Sequence, residues 1–272
     1  MGNSLLTLRI PTSSPSTSPS KSQTGSSFAD GSLSPTSSIP QSSAPSSPIS
    51  QIPKVVSPKS QSNHKNYRFL CLHGWRTSGK ILSFQSAALC ANVGINGFFP
   101  DAPFSAEGAP DAGIATFYPD YEYYEWYLKR FDVNDPTIKL LEGVDQSISK
   151  IVDIINNEEQ FDGILGFSQG AAMATMILTE IQNRNIEKGK LIKCVILIGG
   201  VPPVGAPSSV LSIPSLHIMG EKDSLISYSK ELEGFYDKSS KSVMIHEEGH
   251  NVPSMRTELY PLIRSWIEKH MN

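Results

Sequence analysis

Phe161-Asp162-Gly163-Ile164-Leu165-Gly166-Phe167-Ser168-Gln169-Gly170-Ala171-Ala172 reads as a short strand that runs straight into a helix. Residues 161–165 form the strand, and residues 171–178, small and apolar, form the helix. Between them stands Gly-x-Ser-x-Gly, with Ser168 at the turn. Glycines on both sides leave room for the chain to reverse tightly, which any residue with a Cβ beside the turn would obstruct. The turn lifts the Ser168 hydroxyl clear of the sheet and sets it at the positive end of the following helix. The pentapeptide alone is common. Its position between strand and helix makes Ser168 a nucleophile candidate.

The same alternation extends in both directions. Residues 67–72 form a continuous apolar strand ending at His73-Gly74, and 81–92 read as a helix. A second strand spans 94–99. An amphipathic helix is expected over 138–156, with Leu140, Val144, Ile148, Ile151 and Ile155 at helical spacing. Residues 191–198, 213–219 and 242–246 supply further strands, and a last helix carries Leu259, Ile263, Trp266 and Ile267 toward the core. Near-continuous apolar strands separated by helices predict an α/β fold: a mostly parallel central sheet with helices on both faces. Right-handed crossovers bring the strand C-termini, and with them a site, to one edge. The connection over 199–212 is too short for a large lid domain, so the site should lie open unless the segment after Phe99 covers it.

Composition divides the chain near residue 65. Ser, Pro, Thr and Gln dominate 11–63, which cannot bury enough apolar surface to offset its ordering entropy. Residues 1–65 are therefore expected to be a disordered tail and 66–272 one domain of roughly 200 residues, enough for a sizeable core. The tail carries Arg9, Lys21, Lys54, Lys59 and Lys65 against Asp30, and Ser-Pro steps at Ser14, Ser18, Ser34, Ser47 and Ser57. It has three readings: an idle solvated tail, a site of proline-directed phosphorylation, or a plastid transit peptide poor in arginine. A myristoylation-like start fails at Leu6, where Ser or Thr is expected.

A formal net charge of −3, with no basic stripe in the domain, argues against nucleic-acid binding. No apolar run is long enough to span a bilayer. Cys71, Cys90 and Cys194 lie far apart, two of them in apolar strands, as expected of reduced buried thiols in a cytosol-like compartment. The expected location is the cytoplasm and nucleus, with the plastid as alternative. Metal-ligand spacing is absent, and no cofactor or metal is expected. The chain gives no indication of protein partners.

A serine hydroxyl needs a base, and the base a carboxylate to hold it; the inferred architecture calls for the order Ser, Asp, His. Asp223 follows the strand at 213–219 in Gly220-Glu221-Lys222-Asp223, and His250 follows the strand at 242–246. Each lies just past a strand C-terminus, within reach of Ser168. Asp162 competes with Asp223 but sits at the opposite strand end, and Glu221 comes before the loop tip. His73 is a rival base read as shaping the loop after the first strand; His217 and His246 read as structural. Charge developing on a carbonyl oxygen needs two N–H donors. The backbone N–H groups of Gln169 and Trp75 are the candidates. The Trp75 indole either lines an acyl pocket or packs at the core edge.

Leu72-His73-Gly74, Gly166-Phe167-Ser168-Gln169-Gly170-Ala171-Ala172, Pro214-Ser215-Leu216-His217 and Gly249-His250-Asn251-Val252-Pro253 together resemble the FSH-type serine hydrolases, a family with the α/β-hydrolase fold. The resemblance covers residues 66–272 and implies a triad of Ser168, Asp223 and His250. It also implies hydrolysis of a small-molecule carboxylic ester through an acyl-enzyme, long-chain esters included. The chain departs from the family at Thr77, where Gln is frequent, and at Glu248, where Gly is. Aromatics between 98 and 131 (Phe99, Phe104, Phe117, Tyr118, Tyr121, Tyr124, Trp126, Tyr127) either wall an acyl groove or, the favoured reading, pack that segment on the sheet. An acyl thioesterase is the alternative activity, and a hydrolase-like small-molecule receptor the alternative of another class.

Overall fold

The computed structural model describes residues 6–8, 65–131, 139–203, 207, 209–253 and 258–271. The chain divides into two units, Thr12–Asn63 and the remainder, Met1–Pro11 with His64–Asn272. The first unit, which holds most of the expected tail, lies outside the described residues.

Six strands make the central sheet: β1 (Tyr67–Leu72), β2 (Ile95–Phe98), β3 (Gly163–Phe167), β4 (Cys194–Ile198), β5 (Ser215–Gly220) and β6 (Lys241–His246). Their spatial order is β6-β5-β4-β3-β1-β2, and every neighbouring pair is parallel. The helices are α1 (Gly79–Gln85), α2 (Ala87–Val93), α3 (Ala112–Phe117), α4 (Val144–Asn157), α5 (Gln169–Arg184), α6 (Ile226–Glu233) and α7 (Leu259–Met271). The chain leaves β1 toward one edge and returns to place β3 on its other side. A crevice therefore opens at the C-terminal ends of β1 and β3, where ligands of such sheets bind.

Alternate side chains of each strand feed two cores. Leu70, Leu72, Ile164, Val195 and Leu197 pack with α4 and α5 through Ile148, Ile151, Ile155, Met173 and Ile177. Phe69, Cys71, Leu165, Phe167, Ile196 and Ile198 pack on the other face with Leu82, Leu89, Val93, Ile263 and Ile267. Burial on both faces explains why β1, β3 and β4 lack an apolar–polar alternation. No domain is inserted between β4 and β5.

The structure departs from the sequence expectations at four places. The helix expected over 81–92 breaks at Ser86, whose backbone N–H and hydroxyl both donate to the Leu82 carbonyl, ending one helix before the next begins. The helix expected from residue 138 starts only at Val144. Lys139–Glu142 is instead a strand, paired antiparallel with Leu128–Phe131 on one side and Leu6–Leu8 on the other. Gly143, at φ 90°, separates the two elements. Leu6–Leu8 falls within the stretch expected to be tail; its Leu-Thr-Leu sequence suits a strand better than the Ser/Pro-rich run that follows. The strand expected over 191–198 shortens to β4, with a 3₁₀ turn at Gly189–Leu191 before it.

The segment after β2 folds beside the crevice. Phe104–Ser105 pairs with Tyr124–Glu125, and the Tyr124 N–H donates to the Thr77 carbonyl at 2.7 Å, tying this segment to the loop after β1.

Candidate active site

β3 delivers Ser168 into a backbone conformation of φ 53° and ψ −116°, one that L-residues rarely occupy. Its surroundings enforce it. The Ser168 N–H donates to the Ile198 carbonyl at 3.0 Å, and its own carbonyl accepts from the Ala171 N–H at 3.0 Å. Both flanking glycines are sterically required. A Cβ on Gly170 would lie 2.0 Å from the Leu72 carbonyl oxygen, and one on Gly166 2.5 Å from that of Gly170.

β5 and β6 deliver the partners. The Ser168 Oγ lies 2.9 Å from His250 Nε2, and His250 Nδ1 lies 2.7 Å from Asp223 Oδ2. Asp223 is buried and its other oxygen accepts from the Leu225 N–H at 2.7 Å, so the carboxylate has a fixed direction. It therefore accepts the Nδ1 proton of His250 and leaves Nε2 with a lone pair facing the serine. The Phe167 ring packs 5.1 Å from the imidazole centroid. Gly199, at φ 50°, comes so close that a Cβ there would lie 3.2 Å from the ring. The rival carboxylates are elsewhere: Glu221 is exposed, and Asp162 accepts from the Arg68 backbone at the start of β3, on the opposite sheet edge.

His73 is fully buried, and its bonds run within the loop after β1 and to Ala102 and not to Ser168. Its Nε2 accepts from the Ala102 N–H at 3.0 Å, which leaves the proton on Nδ1, 2.8 Å from the Gly74 carbonyl. Burial pushes its pKa down to about 4, so the ring stays neutral. Thr77 knits the same loop by donating to the Gly74 carbonyl at 2.9 Å. His217, buried in β5 against the Tyr236 ring, is likewise pushed down to about 4 by burial. His246, at the end of β6, is buried too.

Gln169 opens α5, so its N–H has no intrahelical acceptor. Gly74, immediately before Trp75, lies over Ser168: a Cβ on it would be 3.4 Å from Ser168 Cβ. The Trp75 and Gln169 backbones thus border the serine from two sides. Trp75 is 40 % exposed; its indole donates from Nε1 to Glu125 Oε2 at 2.9 Å and carries the Arg76 guanidinium 4.1 Å above its ring.

Sequence reasoning missed Glu125 and the role of Trp126. Glu125 is a buried carboxylate beside the loop after β1. Trp126 is fully buried, donates from Nε1 to the His73 carbonyl at 2.9 Å and from its backbone N–H to the Gln169 side chain at 3.2 Å. The signal was an acidic residue inside the aromatic run Tyr123-Tyr124-Glu125-Trp126-Tyr127. Of the aromatics between 98 and 131, Trp126 and Tyr127 are core, whereas Phe117 and Tyr121 are exposed.

Residues 62–261 match the family of the serine hydrolase FSH1. The chain is 30 % identical over 190 residues to esterase FUS5 of Gibberella moniliformis, covering 69 % of this chain and 80 % of that one. It is 28 % identical over 208 residues to esterase OVCA2 of Bos taurus, covering 69 % and 89 %. Among solved structures, acyl-protein thioesterase 2 of Zea mays superposes with a TM-score of 0.51 at 17 % identity, over 77 % of this chain and 97 % of that one, a likeness of fold.

Proposed function

This chain belongs to the serine hydrolase (FSH1) family and is a serine esterase, and from that premise we propose that it cleaves small-molecule carboxylic esters with Ser168, His250 and Asp223 through an acyl-enzyme. The observation that carries the proposal is the unbroken chain from Asp223 through His250 to Ser168, at 2.7 and 2.9 Å, ending on a serine held in a strained turn.

Ser168 Oγ attacks the ester carbonyl as His250 Nε2 takes its proton, and Asp223 stabilises the imidazolium that forms. The charge on the carbonyl oxygen meets the N–H groups of Gln169 and Trp75, reinforced by the N-terminus of α5. Collapse expels the alcohol, which leaves with the proton from His250. A water then repeats the cycle against the acyl group and frees the acid. The intact hydrogen-bonded chain from Asp223 through His250 to Ser168 favours turnover over mere binding.

Hydrolysis of p-nitrophenyl esters from acetyl to palmitoyl, with wild type beside Ser168→Ala, tests this reading. Turnover should fall by several orders of magnitude in the variant. Retained turnover would contradict it. The matching thioesters, run in parallel, distinguish ester from thioester preference.

A further inference from the structure

Glu125 is a carboxylate with almost no solvent contact, its side chain 3 % exposed, and it sits 49 and 50 residues from its main partners in sequence. A buried charge of this kind is costly unless every lone pair is used. Here Oε2 accepts from Trp75 Nε1 at 2.9 Å, and Oε1 accepts from Arg76 Nε at 2.9 Å and from the Glu107 N–H at 3.3 Å. Arg76 donates from Nη1 to the Ala109 carbonyl and from Nη2 to the Glu107 carbonyl, and itself adopts φ 51°. The next residue, Trp126, fixes the His73 carbonyl and the Gln169 side chain. Two consecutive residues therefore grip the loop after β1 and the start of α5, the two backbone segments that border Ser168.

We propose that Glu125 is a positioning residue for the oxyanion site: its carboxylate holds Trp75 and Arg76 so that the Trp75 N–H stays aimed at the oxygen of the tetrahedral intermediate. The inference rests on the esterase reading above. Nothing requires Glu125 to touch substrate. Its effect runs through backbone placement, where a displacement of about 1 Å costs on the order of 100-fold in rate. A glutamine in its place keeps shape and volume but must point an N–H₂ at Trp75 Nε1–H or at the Arg76 guanidinium, setting donor against donor.

The test uses the full chain as wild type, Glu125→Gln, Trp75→Phe and Ser168→Ala, with p-nitrophenyl acetate as substrate and a trifluoromethyl ketone as tetrahedral mimic. Thermal midpoints are recorded alongside. Glu125→Gln should lower kcat by about 10- to 100-fold, leave KM within roughly twofold, and weaken the ketone in proportion to the loss of kcat/KM. A lower thermal midpoint with unchanged kcat and ketone affinity would overturn the proposal, because a purely structural carboxylate gives that result. If Glu125→Gln does not fold, Trp75→Phe decides, since it removes the Nε1–H donor to Glu125 while keeping an aromatic ring and the backbone N–H at position 75. A several-fold parallel loss in kcat and ketone affinity is expected there, and no loss overturns the proposal. If Ser168→Ala stays active, the esterase reading itself fails; if it is inert while Glu125→Gln equals wild type, only the present inference fails.

Discussion

At the scale of single residues, the account turns on where each side chain is allowed to be. Ser168 tolerates φ 53° because Gly166 and Gly170 leave space that no Cβ permits. Gly170→Ala would push a methyl into the Leu72 carbonyl, and the helix start must move. We expect a loss of about 1–3 kcal/mol in urea unfolding together with a marked drop in kcat. Asp223→Asn is expected to keep the protein folded and yet lower kcat by roughly 10⁴-fold at neutral pH, as in other triads. The asparagine amide donates where Nδ1–H donated, so the His250 proton moves to Nε2 and faces the serine. A kcat within tenfold of wild type would contradict this. The meeting of Ser168, Asp223 and His250 was legible because each needs only a strand end to locate it. Glu125 was not, because its partners Trp75 and Arg76 come together only through the fold.

At the scale of elements, local competition decided what periodicity could not. Residues 139–142 satisfy a helical stripe, but the left-handed conformation of Gly143 makes them a strand and starts α4 afresh. A Cβ on Gly143 would also lie 2.3 Å from the Phe104 ring. Gly143→Ala is therefore expected to destabilise by more than about 1 kcal/mol, with faster amide exchange in the first turn of α4. Unchanged exchange there would refute the idea that Gly143 sets this boundary. The break between α1 and α2 had a sequence signal only in hindsight. A buried serine bonding back to its own helix is indistinguishable in sequence from one facing solvent. Parallel strands were the easiest elements to read, since burial on both faces leaves continuous apolar runs in β1, β3 and β4.

At the scale of the molecule, one sheet separates two cores and carries the site on its C-terminal edge. Among the described residues no helix is long and apolar enough to cross a membrane. The fold class was legible because alternation of strands and helices dictates layers. How the segment from 99 to 131 covers one side of the crevice was not, because short strands and turns lack a period. Burial also couples global stability to pH. His73 and His217 are pushed from 6.5 down to about 4 in the folded protein. Between those values the unfolded chain binds more protons, so stability is complete above about pH 6.5 and falls as pH drops toward 4, by up to about 3 kcal/mol per histidine. Glu233 and Lys241 flank His217 with opposing effects and offset each other in part. Urea unfolding at pH 7 and pH 4.5 should show a smaller acid-induced loss in His217→Gln than in wild type; equal losses would refute the assignment.

The central claim is that Ser168 is the nucleophile and His250 its base. The most direct measurement is covalent capture with a fluorophosphonate, followed by peptide mass mapping of wild type, Ser168→Ala and His250→Gln. The account predicts one adduct per chain on the peptide bearing Ser168, none in Ser168→Ala, and strongly slowed capture in folded His250→Gln. An adduct on another residue, or capture at the wild-type rate without His250, would contradict it.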